Sequence, residues 1–213
     1  MSEILPDEPP TETVVDLSRV IALSDGVFAF ALTLMVLEIN LPPGLTSQEL
    51  PAHMTALLPR LGIYFISFLT IGTAWDGHQR ILRFLKQADG LLVWLNLVSL
   101  LFVTFLPATS GFLGSYPREP LAVITFAGNV IMIMLTSWVL WNHASSRQLI
   151  DEKVNRTAIR MINRRFLYIL AAFLLTIPLA FVNIWLSFVT WLLTFAVSYF
   201  ITRHNWQRSR DGR

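Results

Sequence analysis

Apolar residues in this chain gather into long runs, and six such runs are separated by polar or Pro/Gly-containing breaks. The first covers Val20 to Leu41. At about 1.5 Å per residue it reaches about 33 Å, enough to cross a hydrocarbon core of about 30 Å. Pro42-Pro43-Gly44 breaks it, and a polar connection from Thr46 to His53 follows. The second run extends from about Leu57 to Leu82, with Trp75, Asp76 and His78 in its last third. The third extends from about Leu91 to Leu113, with Asn96 and Pro107 inside it. After a Gly114-Ser115-Tyr116-Pro117 turn, the fourth runs from about Pro120 to Trp141 and ends on Trp138 and Trp141, an aromatic pair suited to headgroup depth. The fifth and sixth, about Phe166 to Val182 and Leu186 to Ile201, are joined so closely that they must form an antiparallel hairpin. The pattern predicts an all-α membrane protein with six transmembrane helices per subunit.

Composition agrees: 54% of the 213 residues are hydrophobic and 14% charged, and the mean hydropathy is +0.57. These values lie far from a soluble domain. There is no cysteine, which excludes disulfides, thiolate metal sites and cysteine nucleophiles. Residues 1–18 are acidic, with Glu3, Asp7, Glu8, Glu12 and Asp16, and read as a disordered tail. A six-helix domain is expected over 19–205 and a basic cytoplasmic tail over 206–213.

Charge orients the spans. Of 16 Lys and Arg residues, six spans place 14 on the side of the termini, leaving Arg60 and Arg118 opposite. The asymmetry predicts both termini in the cytoplasm of a multi-pass protein of the cell membrane. Basic residues lie in loops beside spans, so the net charge of +2 speaks for topology and not for nucleic acid. The segment His143 to Arg165 has helically spaced apolar residues and a basic opposite face, and either extends its flanking spans or lies on the membrane surface.

Polar chemistry concentrates in the first span, which carries Ser24, Asp25, Thr33 and Glu38. A charge inside a span costs about 2.5–3.5 kcal/mol on insertion scales, so Asp25 should have a partner or a polar cavity. Leu23, Val27, Phe30, Leu34, Leu37 and Leu41 recur every three or four residues and share one stripe. By spacing alone a packing seam against another helix is the favoured reading. Thr33 lies about 60° from Phe30, and its ordinary role is a hydroxyl bonded to the preceding turn. Asp25 lies about 140° from Phe30 and points into its own subunit. Trp75 and His78 lie at the depth where Arg19 to Asp25 begins, so Arg19, Ser24, Asp25, Trp75 and His78 form a candidate intrasubunit polar cluster. It serves either as a staple, the favoured reading, or as a proton-sensitive gate.

An enzyme lacks its parts: there is no G-x-S-x-G or H-E-x-x-H, and His53, His78, His143 and His204 are scattered, so neither a triad nor a metal site is expected. A T-V-G-Y-G filter is missing as well.

Arg19-x-x-x-Leu23-Ser24-Asp25-Gly26 resembles the R-x-x-x-F-S-D signature that opens the first helix of the transmembrane protein 175 potassium channels. The likeness continues in Val27-Phe28-Ala29, Leu34 to Ile39, Trp75-x-x-His78, Leu95-Asn96-Leu97 and Phe105-Leu106-Pro107. It covers the first three spans, with departures at Leu23, usually Phe, and at Phe30, usually aliphatic. The resemblance implies a potassium-selective channel: a homotetramer whose first helices line a central pore without a re-entrant filter. Phe30, Leu34 and Leu37 would be its constricting layers and Thr33 its selectivity hydroxyl. It implies no cofactor, K+ as the permeant ion, and monovalent cations, the lipid bilayer and further copies of the chain as partners, with no nucleic acid. Two other readings remain: a proton-coupled secondary transporter using Asp25 and His78, which should show paired broken helices and an inverted repeat, and a non-conducting membrane scaffold.

Overall fold

Each apolar run is helical, because in lipid a chain must satisfy its backbone polar groups internally. The computed structural model describes residues 16–39, 43–152, 154 and 156–211, with 156, 157 and 199–211 described by backbone alone. Six α-helices follow in order: α1 (Leu17–Leu34), α2 (Leu50–Arg83), α3 (Gly90–Ser115), α4 (Pro120–Ser146), α5 (Arg156–Val182) and α6 (Ile184–Asp211). A 3₁₀ turn, Met35–Glu38, continues α1. The first five are long and apolar enough to cross a membrane, and α6 contributes an apolar stretch over Ile184–Ser198.

Several boundaries differ from the hydropathy reading, each for a local reason. Asp16 caps α1 by accepting from the Ser18 N–H at 2.9 Å, so Leu17 and Ser18 belong to the helix and not to a tail. Residues 1–15 lie outside the described residues. The first run is α-helical only to Leu34, and residues 40–42, which include the expected end of the span, lie outside the described residues. Helix α2 starts seven residues before Leu57, within the expected polar connection. There the Glu49 carboxylate accepts from the Thr46 backbone N–H at 3.0 Å and hydroxyl at 2.7 Å, half of a capping-box arrangement, and Pro51 occupies the first turn, where no N–H is missed. Of the basic segment His143 to Arg165, the residues to Ser146 end α4 and those from Arg156 begin α5, with the described residues between the two helices non-helical. Helix α6 runs to Asp211, so 206–211 continue the sixth helix where a separate tail was expected.

Apolar burial gives helices little reason to associate inside lipid, so small residues and interhelical hydrogen bonds carry more of the specificity, at about 0.6 kcal/mol per bond. Ser110 donates to Ser67 at 2.8 Å, joining α3 to α2. Ser99 and Ser137 pair at 3.1 Å between α3 and α4, and Asn129 of α4 donates to the Phe102 carbonyl of α3 at 3.2 Å. Helices α5 and α6 form the expected hairpin: the Asn183 N–H donates to Leu179 O at 2.8 Å and its side chain accepts from Trp185 N–H at 3.0 Å. Trp191 of α6, fully buried, packs on Phe126, Phe173 and Phe188 with ring centroids 5.1, 5.8 and 5.4 Å away. That aromatic cluster binds α4, α5 and α6 into one block.

At the membrane end where α2 stops and α3 begins, two loops are sewn together. Lys86 N–H donates to Leu149 O at 2.9 Å and Asp151 N–H to Phe84 O at 2.8 Å. Asp89 caps α3 by accepting from the Leu92 N–H at 2.7 Å, and it accepts from His143 Nε2 of α4 at 2.8 Å. Burial pushes the Asp89 carboxyl up, but the Leu92 N–H, the His143 bond and the charges of His143 and Arg147 outweigh it and hold the carboxyl below its ordinary range. A carboxyl depressed in the folded state stabilises the fold fully above its unfolded value of about 3.9, and that contribution is lost as pH falls through the depressed value. Removing the cap by Asp89→Ala is expected to cost about 1 kcal/mol, seen as a lower thermal midpoint in detergent at pH 7, with the gap to the wild type closing below about pH 4. An equal gap at pH 7 and pH 3 would contradict this role.

Candidate functional site

Helix α1 separates its residues by direction. Val20, Ser24, Phe28, Ala31 and Met35 are buried, and they occupy one arc of the helical wheel at about 100° per residue. The opposite arc is exposed: Leu23 is 48% accessible, Phe30 61% and Leu37 61%, and Gly26 and Thr33 are exposed beside them. Leu34, at the edge of this arc, is half-buried, and Leu32 packs against the core on the other side.

The rotation of α1 is held by two polar contacts. Ser24, fully buried, donates to the Val20 carbonyl at 2.8 Å and accepts from Asn96 Nδ2 of α3 at 3.1 Å. Asn96 Oδ1 in turn accepts from His78 Nε2 of α2 at 2.9 Å. With Nε2 as the donor, His78 Nδ1 is left as an acceptor, buried and without a partner among the described residues. Beside this chain, the half-buried Asp25 carboxylate accepts from Trp75 Nε1 at 2.7 Å and from Gln79 Nε2. Two neutral donors satisfy the carboxylate without a counter-charge; a bond to a charged acceptor is worth about 1.5–3 kcal/mol, comparable to the insertion penalty.

The expected cluster therefore assembles in altered form. Ser24, Asp25, Trp75 and His78 lie at the junction of α1 and α2, but Asp25 and His78 belong to separate hydrogen-bonded sets. Arg19 stays outside: it is exposed, and its position about 20° from Phe30 puts it on the opposite side of the helix from Asn96 and His78. Gln79 and Asn96 complete the sets and were not among the expected site residues. Gln79 had a readable signal, since it lies one turn after Trp75 and shares its face.

The far end of the exposed arc changes geometry. From Met35 to Glu38 the helix tightens to 3₁₀ form, in which residues three apart eclipse, so Leu37 stacks over Leu34 and not over Phe30. The Glu38 carboxylate packs directly on Gly111 of α3, where an added methyl would overlap it. Thr33 donates its hydroxyl proton to the Phe30 carbonyl at 2.8 Å. That bond consumes the only proton and leaves the oxygen lone pairs on the exposed side, where they are able to accept from water or meet a cation.

Comparison with known proteins places this arrangement. Residues 19–107 match the family described as Endosomal/lysosomal potassium channel TMEM175, a family of ion channels and not of enzymes. A potassium channel of Chamaesiphon minutus is 31% identical over 175 residues, covering 79% of this chain and 86% of that protein. A potassium channel of Streptomyces collinus is 33% identical over 170 residues, covering 78% of this chain and 82% of that protein. Among solved structures, that of a lysosomal potassium-selective channel TMEM175 homolog from Chamaesiphon minutus superposes with a TM-score of 0.77 at 29% identity, covering 89% of this chain and 98% of the other. Identity above 30% to two relatives, each covered over more than four fifths of its length, together with the family match over 19–107, shows that the chain belongs to the TMEM175 family.

Proposed function

We propose that this protein is a potassium-selective channel: a homotetramer in which the exposed arcs of four α1 helices enclose a central pore. The observation that carries the reading is the rotation of α1. Its polar side chains Ser24 and Asp25 are bonded inward, while Leu23, Phe30 and Leu37 are turned out of the subunit with the Thr33 hydroxyl among them. In one subunit this arc lies on the surface, so a pore lined by it requires several copies about an axis. Rings of Phe30, Leu34 and Leu37 would restrain ions by making them shed water or by dewetting, and the Thr33 oxygens would meet a partly dehydrated cation. The excess of Lys and Arg on the side of the termini supports a cytoplasmic position for both. Names of the bacterial relatives support potassium as the permeant ion.

Proton-coupled transport through Asp25 and His78 draws no support from the geometry, since each group is engaged with different partners. Potassium flux into liposomes holding the purified protein is expected to proceed passively, with or without an imposed proton gradient. Flux that appears only with the gradient would contradict the channel reading and favour the transporter. A monodisperse monomer in nanodiscs would remove the pore.

Two substitutions test the lining. Thr33→Ala is expected to lower the discrimination of potassium from sodium, read as a shifted reversal potential in mixed salts, while conduction persists. Phe30→Ala is expected to widen the Phe30 ring and raise conductance, whereas Leu32→Ala, a core contact, should lower the thermal midpoint and leave permeation unchanged. Equal effects of the Phe30 and Leu32 changes on permeation would show that the pore face is misassigned.

A further inference from the structure

Between α2, α5 and α6 lies a cavity of about 340 Å³, lined by Phe68, Leu69, Arg80, Arg165, Phe195 and Ser198 among others. That is room for many waters, each of which needs about 10–15 Å³ on the same measure. At its polar end Asp76 is gripped from two helices. Arg80 Nε and Nη2 donate to its carboxylate at 3.1 Å. Arg165 Nη1 donates to it at 3.0 Å, and Arg165 Nη2 donates to the Thr73 carbonyl at 3.3 Å.

Two features of this cluster are not explained by helix packing. Two guanidinium groups face one carboxylate, so among the described residues the triad keeps one uncompensated positive charge, and each guanidinium has more N–H donors than these bonds use. Ser198, 7% accessible, lines the same cavity, and its buried hydroxyl has no partner among the described residues. The surplus cation and its spare N–H donors call for an anion with several acceptor oxygens, while the Ser198 hydroxyl is covered within the cavity wall. The depth fits a headgroup: Arg80 lies about 34 Å along α2 from Leu57, roughly one hydrocarbon thickness. Away from the charges the wall is apolar, with Phe68 and Leu69 41% and 47% accessible.

We infer that this cavity binds an anionic phospholipid, its phosphate held by Arg80 and Arg165 and its acyl chain laid along Phe68, Leu69 and Phe195. The apolar wall next to the charges favours a lipid over free phosphate, and the surplus charge distinguishes an anionic headgroup from a zwitterionic one. Planar guanidinium donors suit phosphate oxygens better than an ammonium would.

The test is native mass spectrometry of the full-length protein released from mixed micelles of phosphatidylglycerol and phosphatidylcholine. The wild type is expected to retain phosphatidylglycerol about tenfold over phosphatidylcholine, equivalent to about 1.4 kcal/mol. Arg80→Gln with Arg165→Gln should abolish that preference, and millimolar inorganic phosphate should not displace the lipid. Absence of preference in the wild type, or an unchanged preference in the double variant, overturns the proposal. Displacement by phosphate would overturn the lipid assignment in favour of a free-anion site. Efficient disulfide formation between subunits of a Phe195→Cys variant would do the same in favour of a second copy covering the cavity. Should the double variant not be recovered, Phe195→Trp, which fills the cavity and leaves the charges in place, is expected to reduce phosphatidylglycerol retention severalfold, and unchanged retention overturns the proposal.

Discussion

A buried serine and a half-buried carboxylate in a helix that crosses lipid constrain how the first three helices fit together. Ser24 and Asp25 are too costly to leave facing hydrocarbon, so α2 and α3 supply their partners: Asn96 for the serine, Trp75 and Gln79 for the carboxylate. Because those partners come from two different helices, α1 is fixed in rotation as well as position. An apolar seam alone permits a helix to slide or turn by a residue with little loss. A set of directed hydrogen bonds in a low-dielectric interior does not. The exposed arc of Leu23, Phe30 and Thr33 is thus a consequence of where Ser24 and Asp25 must point.

The end of the first helix is fixed differently. Past Leu34 the backbone tightens to 3₁₀ form, Met35 is fully buried, and Glu38 is carried onto the bare Cα of Gly111. A side chain at Gly111 would push this segment off α3. The position of Leu37 therefore depends on a glycine of another helix, whereas that of Phe30 depends on the polar contacts one and a half turns earlier.

Much of this is legible in the sequence because lipid simplifies the code. Long apolar runs must be helices, the wheel places Asp25 away from Phe30, and the Trp75-x-x-His78 spacing on the second span points to the depth of Asp25. What escapes is whatever depends on which atom meets which. Trp75 and Gln79, one turn apart, share a face and both reach Asp25, while His78 is rotated toward Asn96. Shared depth groups Arg19 with Asp25, Trp75 and His78, although the wheel sets it near Phe30. The early start of α2 was encoded by Thr46 and Glu49 but masked by the polarity of the connection. The Asp76–Arg165 pair joins residues 89 apart, and only folding brings them together.

The chain contains no cysteine, so single cysteines placed on α1 report directly on which face water and ions reach. In proteoliposomes, a membrane-impermeant thiosulfonate is expected to modify Phe30→Cys and block potassium flux, and to leave Phe28→Cys, buried two residues away on the opposite side, unmodified and conducting. Modification of Phe28→Cys with block of flux, while Phe30→Cys conducts undisturbed, would contradict a pore lined by the exposed arc of the first helix.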